Sequence, residues 1–430
     1  MMNTNFLRRL GLSQFVSLFI TSSLMLVGFS ATVNAEALSL AEAEHLALKG
    51  DPMLGNIDAR AQALDEAAIA DGQLPDPRAR VSLFSFPTDT FERDQEPITQ
   101  LRFGVQQTIP RGDTLALRSK RTQVRAKGER AKVSNETRKI TRDVRENWLE
   151  TFYWLRAEQI VKANKRLFKE MLDVTESQYA AGRRNQQDVL RAELELGLLD
   201  DRLTDIQQKQ EVSRAKLAKW IGGESLRSLP GSLPVLSEPP SLATIQAGLP
   251  QHPALKMQQA YIDVKSKGVA IAREAYKPAW TVGVDYGIRD GNNPDGSSRA
   301  DFLTATLMFD LPLFTDKRQD KRLAAAQRHE GAAKYQYDDK LRALQSMLEK
   351  DYVTWRRLNQ RLEHYQKTLV GQATSNSEAS LLAYQNDATD FATLMRAKIT
   401  ELNTHLKALR IHVNASKAQV RLLYLAGEQQ

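Results

Sequence analysis

Two long stretches of this chain carry apolar residues at the three- and four-residue spacing of an α-helix. Residues 111–178 contain no proline and only two glycines, so they predict one helix of about 100 Å at 1.5 Å per residue. Residues 186–221 continue with leucine and isoleucine in the 3-4-3 spacing of a coiled-coil seam, which Gln210 and Ser213 interrupt. The pattern therefore predicts a long helical hairpin. The two polar positions in its seam suit a helical wall that has one face in contact with water.

Four shorter segments alternate apolar and polar residues with the period of a β-strand. In the clearest one, every second residue is apolar: Trp280, Val282, Val284, Tyr286 and Ile288. Strands are predicted at 79–86, 99–108, 279–288 and 300–309. Segments of about 9–11 residues are long enough for a tilted strand to cross a bilayer. A soluble sheet that is covered on one face would show the same alternation.

The same plan occurs twice, about 200 residues apart. Tyr179 and Gly182 correspond to Tyr384 and Asp387, and residues 189–192 match 394–397 without a gap. We therefore predict one pseudo-symmetric body with repeats at 36–230 and 231–430, and long helices of the second repeat at 317–368 and 390–425. The predicted fold class is mainly α with a small β part, built from a duplicated helix–strand–strand–helix unit.

The first 35 residues have the pattern of a cleaved export signal. Arg8 and Arg9 precede an apolar run over 15–29, and Val33-Asn34-Ala35 provides a small-residue cleavage site. A membrane anchor is the weaker interpretation, because this run is short and contains two serines. The chain has no cysteine, which excludes disulfides and a lipid-carrying N-terminal cysteine. We expect an exported protein, located in the periplasm or in the outer membrane.

Charge and motif content argue against nucleic-acid binding and catalysis. The formal net charge is +8 at pH 7, but basic and acidic residues alternate along the helices, which is typical of solvated helix faces. The sequence has no phosphate-binding glycine loop, no serine elbow and no His-Glu-x-x-His motif, so we expect no enzymatic activity and no cofactor. His405 and His412 share a helix face, but without a carboxylate or thiolate in register they are interpreted as surface residues, not as a metal site.

The number of strands limits how this chain can enter a membrane. Four strands cannot close a barrel around a passage, and an open sheet in lipid leaves edge groups unpaired at several kcal/mol each. If the strands lie in a membrane, several copies must share one barrel, and the long helices must project from it as a tube of paired coils. Trp280 and Tyr286 would then be candidates for the aromatic girdles at the two interfaces.

These features resemble the TolC-like outer-membrane efflux channels, over nearly all of the mature chain. The resemblance rests on the duplicated plan, on the hairpin signature Tyr179-x-x-Gly182…Asp188-Val189-Leu190, and on Gln107…Pro110-x-Gly112 after the second strand. The compact size and the Pro-Arg-Gly-Asp segment at 110–113 are most similar to the heavy-metal-efflux branch, of the CzcC and CusC type.

The resemblance implies a homotrimer. Each protomer would contribute four strands to a twelve-stranded transmembrane β-barrel in outer-membrane lipid, and its helices to a periplasmic α-barrel. The assembly would be the passive channel of a tripartite efflux system, together with a periplasmic membrane-fusion adaptor and an inner-membrane pump of the RND type. Heavy-metal cations are one candidate cargo; drugs and other small molecules pass through similar tunnels, since selection lies largely in the pump.

The two helix-hairpin tips are the candidate functional sites, because in the family that the chain resembles they close the tunnel and meet the adaptor. The predicted contact residues are Tyr179, Gly182, Asp188, Val189, Leu190, Tyr384, Thr393 and Leu394. Gly182 would allow the tight turn. Asp188 would cap or bridge the start of the return helix, with Val189 and Leu190 packing below.

The second tip departs from the family pattern. Asp387 takes the glycine position, and Thr393 takes the carboxylate position of the Asp-Val-Leu triplet, so the family's acidic gate rings are not carried over. Asp387 and Asp390 are candidates for a gate constriction, because three copies around an axis would form a cation-attracting ring. Solvated turn carboxylates are the alternative interpretation, and Arg396 is a candidate partner for either acid.

One function of a different class fits the same sequence. A periplasmic or surface coiled-coil scaffold, such as an adhesin stalk, would use the same long helices and fold its four strands as a soluble sheet. Membrane extraction distinguishes the two functions: a channel should fractionate with the outer membrane and run as a heat-modifiable trimer, and recovery as a soluble periplasmic monomer would reject it.

Overall fold

The computed structural model describes residues 37–427, so the predicted export signal lies outside the described part. The strands are β1 (Arg78–Phe84), β2 (Gln100–Ile109), β3 (Trp280–Ile288) and β4 (Phe302–Phe309). The helices of the first repeat are α1 (Leu40–Leu48), α2 (Pro52–Asp71), α3 (Thr114–Ala180) and α4 (Gln186–Ile221). Those of the second are α5 (Leu242–Gly248), α6 (Pro253–Glu274), α7 (Gln319–His364), α8 (Val370–Gln385) and α9 (Phe391–Ala426). The fold is mainly helical with a small antiparallel sheet, as predicted.

Corresponding helices of the two repeats begin with the same capping device. Before α2, the Asp51 carboxylate accepts hydrogen bonds from the amides of Met53 and Leu54 at 2.9 and 3.0 Å. Before α6, His252 Nδ1 accepts from the amide of Ala254 at 3.2 Å. A proline follows each capping residue, where its missing N–H costs no helical hydrogen bond.

The helices of the second repeat differ from the prediction at one place. The helix expected to end near residue 368 instead passes through a π-helical turn, Tyr365–Leu369, and continues as α8 to Gln385. Burial of Ala373 and Ser377 holds this continuation in the bundle, an effect of packing that local spacing does not reveal. Nearer the start of this repeat, a short 3₁₀ segment, Leu249–Gln251, separates α5 from α6, because Pro250 and Pro253 cannot continue an α-helix.

None of the described helices is long and apolar enough to cross a membrane. The long α3 and α4 pack side by side. The prediction that the seam is exposed to water at Ser213 is wrong within the single chain. That side chain is buried, and its hydroxyl donates to the carbonyl of Gln210 at 2.9 Å. A hydroxyl that bonds to the backbone of its own helix needs no water, so the seam stays closed there.

The main hydrophobic core lies where α1, α3, α4 and α9 meet. Trp148 on α3 is fully buried, stacks on Phe152 with ring centroids 5.7 Å apart, and donates its indole N–H to the carbonyl of Leu38 at 3.1 Å. A buried ion pair, Arg145 Nε to Glu44 Oε1 at 2.7 Å, ties α3 to α1 in the same region. The core therefore joins α1 and α9 to the middle of α3, the longest helix.

The four strands form one antiparallel sheet in the order β1-β2-β3-β4. The central pair, β2 with β3, joins the two repeats in a register that places Phe103 opposite Tyr286. Across the whole sheet, Val81, Phe103, Tyr286 and Leu303 form one row on one face. Since neighbours in a row share a face, the sheet separates the alternating residues of all four strands into two continuous surfaces.

The two surfaces have opposite chemistry, and the apolar one is uncovered. It carries no charged residue, and its side chains are Ala79, Val81, Leu83, Leu101, Phe103, Val105, Gln107, Ile109, Trp280, Val282, Val284, Tyr286, Ile288, Leu303, Ala305, Leu307 and Phe309. Leu303 is 74% exposed and Val81 67%, and no described helix makes an extended contact with the sheet. The buried positions of β3 are Gly283, Asp285 and Gly287, on the opposite face. This is the reverse of a soluble sheet, which covers its apolar face.

Candidate functional site

The first hairpin tip is a tight turn that depends on Gly182. This residue has φ = +71°, in the left-handed region that a side chain disfavours. Its amide donates to the carbonyl of Tyr179 at 2.9 Å, and the amide of Arg183 donates to the carbonyl of Gln178 at 2.9 Å. These two bonds satisfy the last carbonyls of α3, as in a Schellman motif.

The second tip repeats this turn with an aspartate in place of the glycine. Asp387 has φ = +56°, and its amide donates to the carbonyl of Tyr384 at 3.2 Å. The amide of Ala388 donates to the carbonyl of Ala383 at 2.8 Å, which completes the same pair of bonds. Asp enters the left-handed region more readily than most residues, so the backbone of the turn is kept although the glycine is lost.

The return helices are capped differently from the prediction. Asn185, not Asp188, stands at the N-cap of α4 and makes no side-chain capping bond; the half-buried Asp188 follows three residues later. At the second tip, Asp390 caps α9 by accepting from the amide of Thr393 at 2.7 Å. Hydrogen bonds from Thr393 lower the pKa of the Asp390 carboxyl, and the charges of Arg396 and Arg191 add to this effect. Asp390 is therefore an ionised cap.

Arg184 connects the two tips. Its Nη2 donates to Asp387 Oδ1 at 2.6 Å, its Nε donates to Gln178 Oε1 at 3.0 Å, and its guanidinium lies 4.5 Å from the ring centroid of Tyr384. The ionic partner of Asp387 is thus Arg184 of the first hairpin, and not Arg396, which the sequence offered. Arg184 is largely buried while Asp387 is exposed, so the pair closes the gap between the hairpins at the surface.

Equivalent residues of the two tips differ in burial. Tyr384 is buried against Phe391, with ring centroids 5.7 Å apart, and its hydroxyl has no hydrogen-bond partner among the described residues. Tyr179, its counterpart, is 45% exposed. Leu394 is buried and Thr393 and Val189 are half-buried, but Leu190 is 55% exposed, so the expected packing of Leu190 beneath the tip is wrong within one chain. At these positions the first tip exposes Tyr179 and Leu190, whereas their counterparts in the second tip, Tyr384 and Met395, are buried.

The polar face of the sheet holds an ion pair that crosses a strand. Arg80 on β1 and Asp285 on β3 are separated by Gly104 of β2, and Arg80 Nη2 reaches Asp285 Oδ1 at 2.6 Å. A Cβ atom at Gly104 would stand 2.0 Å from that oxygen. Only glycine at position 104 leaves room for the Asp285 carboxylate to lie against β2. The ion pair can therefore cross the middle strand close to the surface of the sheet.

The two ends of the sheet are joined by further polar contacts. At the helical end, Arg111 Nη2 bonds to Asp310 Oδ2 at 2.7 Å, and Glu274 Oε2 accepts from the amide of Asp113 at 2.8 Å. At the other end the two strand loops meet through the Arg93–Asp290 ion pair at 2.7 Å. Both hairpins are thus held in register where they leave the sheet.

The histidines singled out in the sequence are placed apart from any metal-binding group. His405 Nε2 is 3.4 Å from the hydroxyl of Thr374, and burial lowers the pKa of the half-buried His412. Within residues 37–427, no group of three or more His, Cys, Asp or Glu side chains is arranged to hold a metal ion.

Sequence reasoning missed Arg184. The signal available was the basic pair Arg183-Arg184 in the first tip, which stands where the second copy has Ala388 and Thr389. Comparison of the two copies predicts that Asp387 replaces a glycine. Only the packing of one hairpin on the other shows that an arginine of the first copy forms an ion pair with this aspartate.

Comparison with known proteins adds sequence and fold information. The model of the outer membrane efflux protein family matches residues 244–428. Among curated protein sequences, none matches the chain. Several solved structures are similar in fold, at 17% identity or less, and three of them are described below.

The outer-membrane channel OprN aligns with a TM-score of 0.75 at 17% identity, over 91% of this chain and 90% of that one. CusC, whose structures concern folding and transmembrane channel formation, aligns with a TM-score of 0.75 at 13% identity, over 92% and 93%. The outer membrane protein VceC of Vibrio cholerae aligns with a TM-score of 0.74 at 17% identity, over 90% and 96%. The fold is therefore that of TolC-like channels, with the four-stranded sheet included. Residues 244–428 are thus similar in sequence to the outer membrane efflux protein family, and about nine-tenths of the chain shares the fold of these channels.

Proposed function

We propose that this protein is the outer-membrane channel of a tripartite efflux system and conducts substrates passively from a periplasmic adaptor and inner-membrane pump to the exterior. The observation that carries the proposal is the inverted sheet: its uncharged apolar face is exposed and its charged face is turned the other way. Such a face is stable in contact with lipid, and in water it would expose a continuous hydrophobic patch.

The size of the exposed face fits a membrane. On β2 it runs from Leu101 to Ile109, which is about 26 Å at 3.3 Å per residue. Aromatic side chains lie towards both limits: Trp280 packs on Phe309 with centroids 5.0 Å apart at the helical end, and the Tyr286 hydroxyl bonds to Asp301 Oδ2 at 2.5 Å near the loops. An apolar band of about 25 Å between two aromatic girdles is the exterior of an outer-membrane barrel.

The internal duplication indicates how neighbouring protomers pair with each other to close the barrel and the helical tube. Within the chain, the two repeats meet through β2 on β3, α3 on α6 and α3 on α9. The pseudo-symmetric counterparts would be β4 on β1, α7 on α2, and α7 or α8 on α4, and no comparable packing of these pairs occurs in the described chain. A neighbouring copy supplies all three at once, in a head-to-tail ring. Leu194 and Leu198, 62% and 53% exposed on α4, lie in the surface left for it.

A homotrimer follows from the resemblance to known channels and agrees with this head-to-tail closure. Three copies give six repeats and a barrel of twelve strands, which removes both sheet edges. The barrel interior would then carry the polar face, with Arg80 and Asp285.

The hairpin tips are proposed as the periplasmic gate and adaptor site. The bond between Arg184 and Asp387 holds the two hairpins together, and Tyr179 and Leu190 leave apolar surface on the first tip for the adaptor. The acidic constriction expected from Asp387 is weakened, because Arg184 neutralises that charge. Asp390 and Arg396 stay candidates for the gate.

The heavy-metal branch remains the finer hypothesis. CusC is among the structural neighbours, but OprN and VceC align equally well, so the fold does not favour one branch. The type of pump, expected to be of the RND class, is likewise part of the proposal.

The proposal is tested by fractionating cells and reconstituting the purified protein. We expect the protein in the outer membrane, as a trimer that dissociates on heating in detergent, and as a pore in planar lipid bilayers. Recovery as a soluble periplasmic monomer without conductance would support the coiled-coil scaffold instead. Deleting the gene should sensitise cells to the pump's substrates, and restoring the wild-type chain should reverse the effect.

A further inference from the structure

The charges on the polar face of the sheet are unbalanced. Within the four strands this face carries three cations, Arg78, Arg80 and Arg102, and one anion, Asp285. The Arg80–Asp285 pair is neutral, since its oxygen and nitrogen are 2.6 Å apart. Each copy is therefore left with two arginines that have no carboxylate partner in the sheet.

Arg102 is held in place by neutral groups. Its Nε donates to Gln100 Oε1 at 2.9 Å, and its guanidinium lies 3.3 Å from the ring centroid of Phe84. Neither contact cancels its charge, and both fix its direction along the wall. Arg78 is exposed and has no carboxylate of the described chain within ion-pair distance. Both charges are thus available to a solute on this side of the sheet.

The register places the two arginines at different heights. Arg78 is opposite Gln106, and Arg102 is opposite Ser82, so the two levels are four residues apart. Four residues are about 13 Å along a strand. In a closed ring of copies, each level becomes a girdle of equal positive charges. The spacing exceeds the Debye length of about 10 Å at 0.1 M salt, so each girdle acts locally.

The helical wall shows the same bias. A groove of about 890 Å³ is lined by residues of α2, α3, α6 and α7. Its charged lining is basic apart from one carboxylate: Arg121, Arg125, Lys132, Lys265 and Glu129.

We propose that Arg78 and Arg102 form two anion-attracting girdles inside the passage, and that the cargo class which it favours is negatively charged small molecules. This inference rests on the proposed channel function. Rings of arginine favour anions in pores as rings of carboxylates favour cations. Divalent metal cations, the cargo expected of the heavy-metal branch, would be repelled at both girdles.

The strand loops carry charge of the opposite sign, and this decides the form of the test. Residues 87–99 and 289–301 contain seven carboxylates and three arginines, all beyond the ends of the strands. The permeability ratio of the wild-type pore alone would combine the effects of the acidic loops and of the strand-lined part. The change in selectivity on removing the girdles isolates the strand-lined part.

The experiment compares reversal potentials of purified trimers in planar bilayers under a KCl gradient. For Arg78→Gln/Arg102→Gln we expect the chloride-to-potassium permeability ratio to fall at least about twofold, and for Arg78→Lys/Arg102→Lys to keep its wild-type value. Glu92→Gln/Glu96→Gln, in the loop, is the control outside the girdles and should not lower the ratio. Arg78→Glu, at a position without ionic partners, should lower the ratio further than Arg78→Gln.

The outcomes separate the inference from the function on which it rests. Pores whose permeability ratio is unchanged in the glutamine variant, or equally lowered in the lysine variant, would overturn the girdles and leave the channel intact. The absence of conductance from trimers of the wild type and of a tip variant, Arg184→Gln, would overturn the proposed function.

Discussion

The exposed face of the sheet allows a quantitative test of membrane insertion. Val284 lies in the middle of β3, 48% exposed, in a row with Ala79, Val105 and Ala305. Arginine on the lipid face of a barrel near the bilayer midplane costs about 2–4 kcal/mol. The trimer repeats the change three times, so Val284→Arg should destabilise the assembled barrel by about 6–12 kcal/mol.

A matched variant separates lipid exposure from a general effect of arginine. Thr304→Arg places the same side chain on the adjacent strand, on the polar face opposite Asp285. We expect it to change the stability of the trimer by less than about 1 kcal/mol, because its guanidinium stays in water near a carboxylate.

The assay is the fraction of heat-resistant trimer in outer membranes, followed by urea titration of the reconstituted protein. Val284→Arg should lower the urea midpoint strongly or prevent assembly, and Thr304→Arg should not. Equal stability of the two variants would refute the assignment of faces, and with it the argument for a lipid-embedded sheet. A stable Val284→Arg chain recovered in the soluble fraction would point to the scaffold function.

Three further results are expected. Arg184→Gln removes the ionic link to Asp387, so single-channel conductance should rise severalfold while trimer yield is kept; unchanged conductance would exclude this link as part of the gate. Gly104→Val places a side chain where Asp285 lies, so the barrel should lose about 1–3 kcal/mol per protomer in urea titration, whereas Gly55→Ala, whose Cβ would meet open space on α2, should lose none. Burial lowers the pKa of His252 to about 4, so the folded state holds it neutral. This pKa is depressed below 6.5, the ordinary value of a histidine, and stability should therefore fall by about 3 kcal/mol as the pH drops from about 6.5 to 4. His252→Asn, which keeps a capping side chain without that titration, should remove this part of the acid sensitivity; an identical pH profile in both proteins would contradict the assignment.

Several elements could be predicted from the sequence because their causes are local. The long helix α3 could be predicted over 111–178, since apolar spacing and the absence of proline act along the helix itself. The alternation of apolar and polar residues in β3 predicts which of its residues share a face, because the two-residue period is a property of the strand itself. The duplicated plan followed from comparing the chain with itself.

Other features depended on distant partners, and local spacing was wrong or silent about them. The apolar spacing predicts a helix end near residue 368, but burial of Ser377 and Tyr384 against the bundle carries the helix to Gln385. The capping role predicted for Asp188 is not filled by a side chain, since α4 begins at Gln186 and the N-cap residue, Asn185, makes no capping bond. Arg184 was overlooked because its partner, Asp387, lies 203 residues away.

The sequence alone determined which residues of each strand and helix share a face, and that the plan is repeated, because these properties arise from backbone geometry and short-range sterics. Only the tertiary structure decided that the apolar face of the sheet is left uncovered, that Gly104 makes room for the Arg80–Asp285 pair, and that Arg184 joins the hairpins. Those outcomes depend on how segments about 200 residues apart meet in space, and the free energy of such contacts is set by burial and charge at the meeting point.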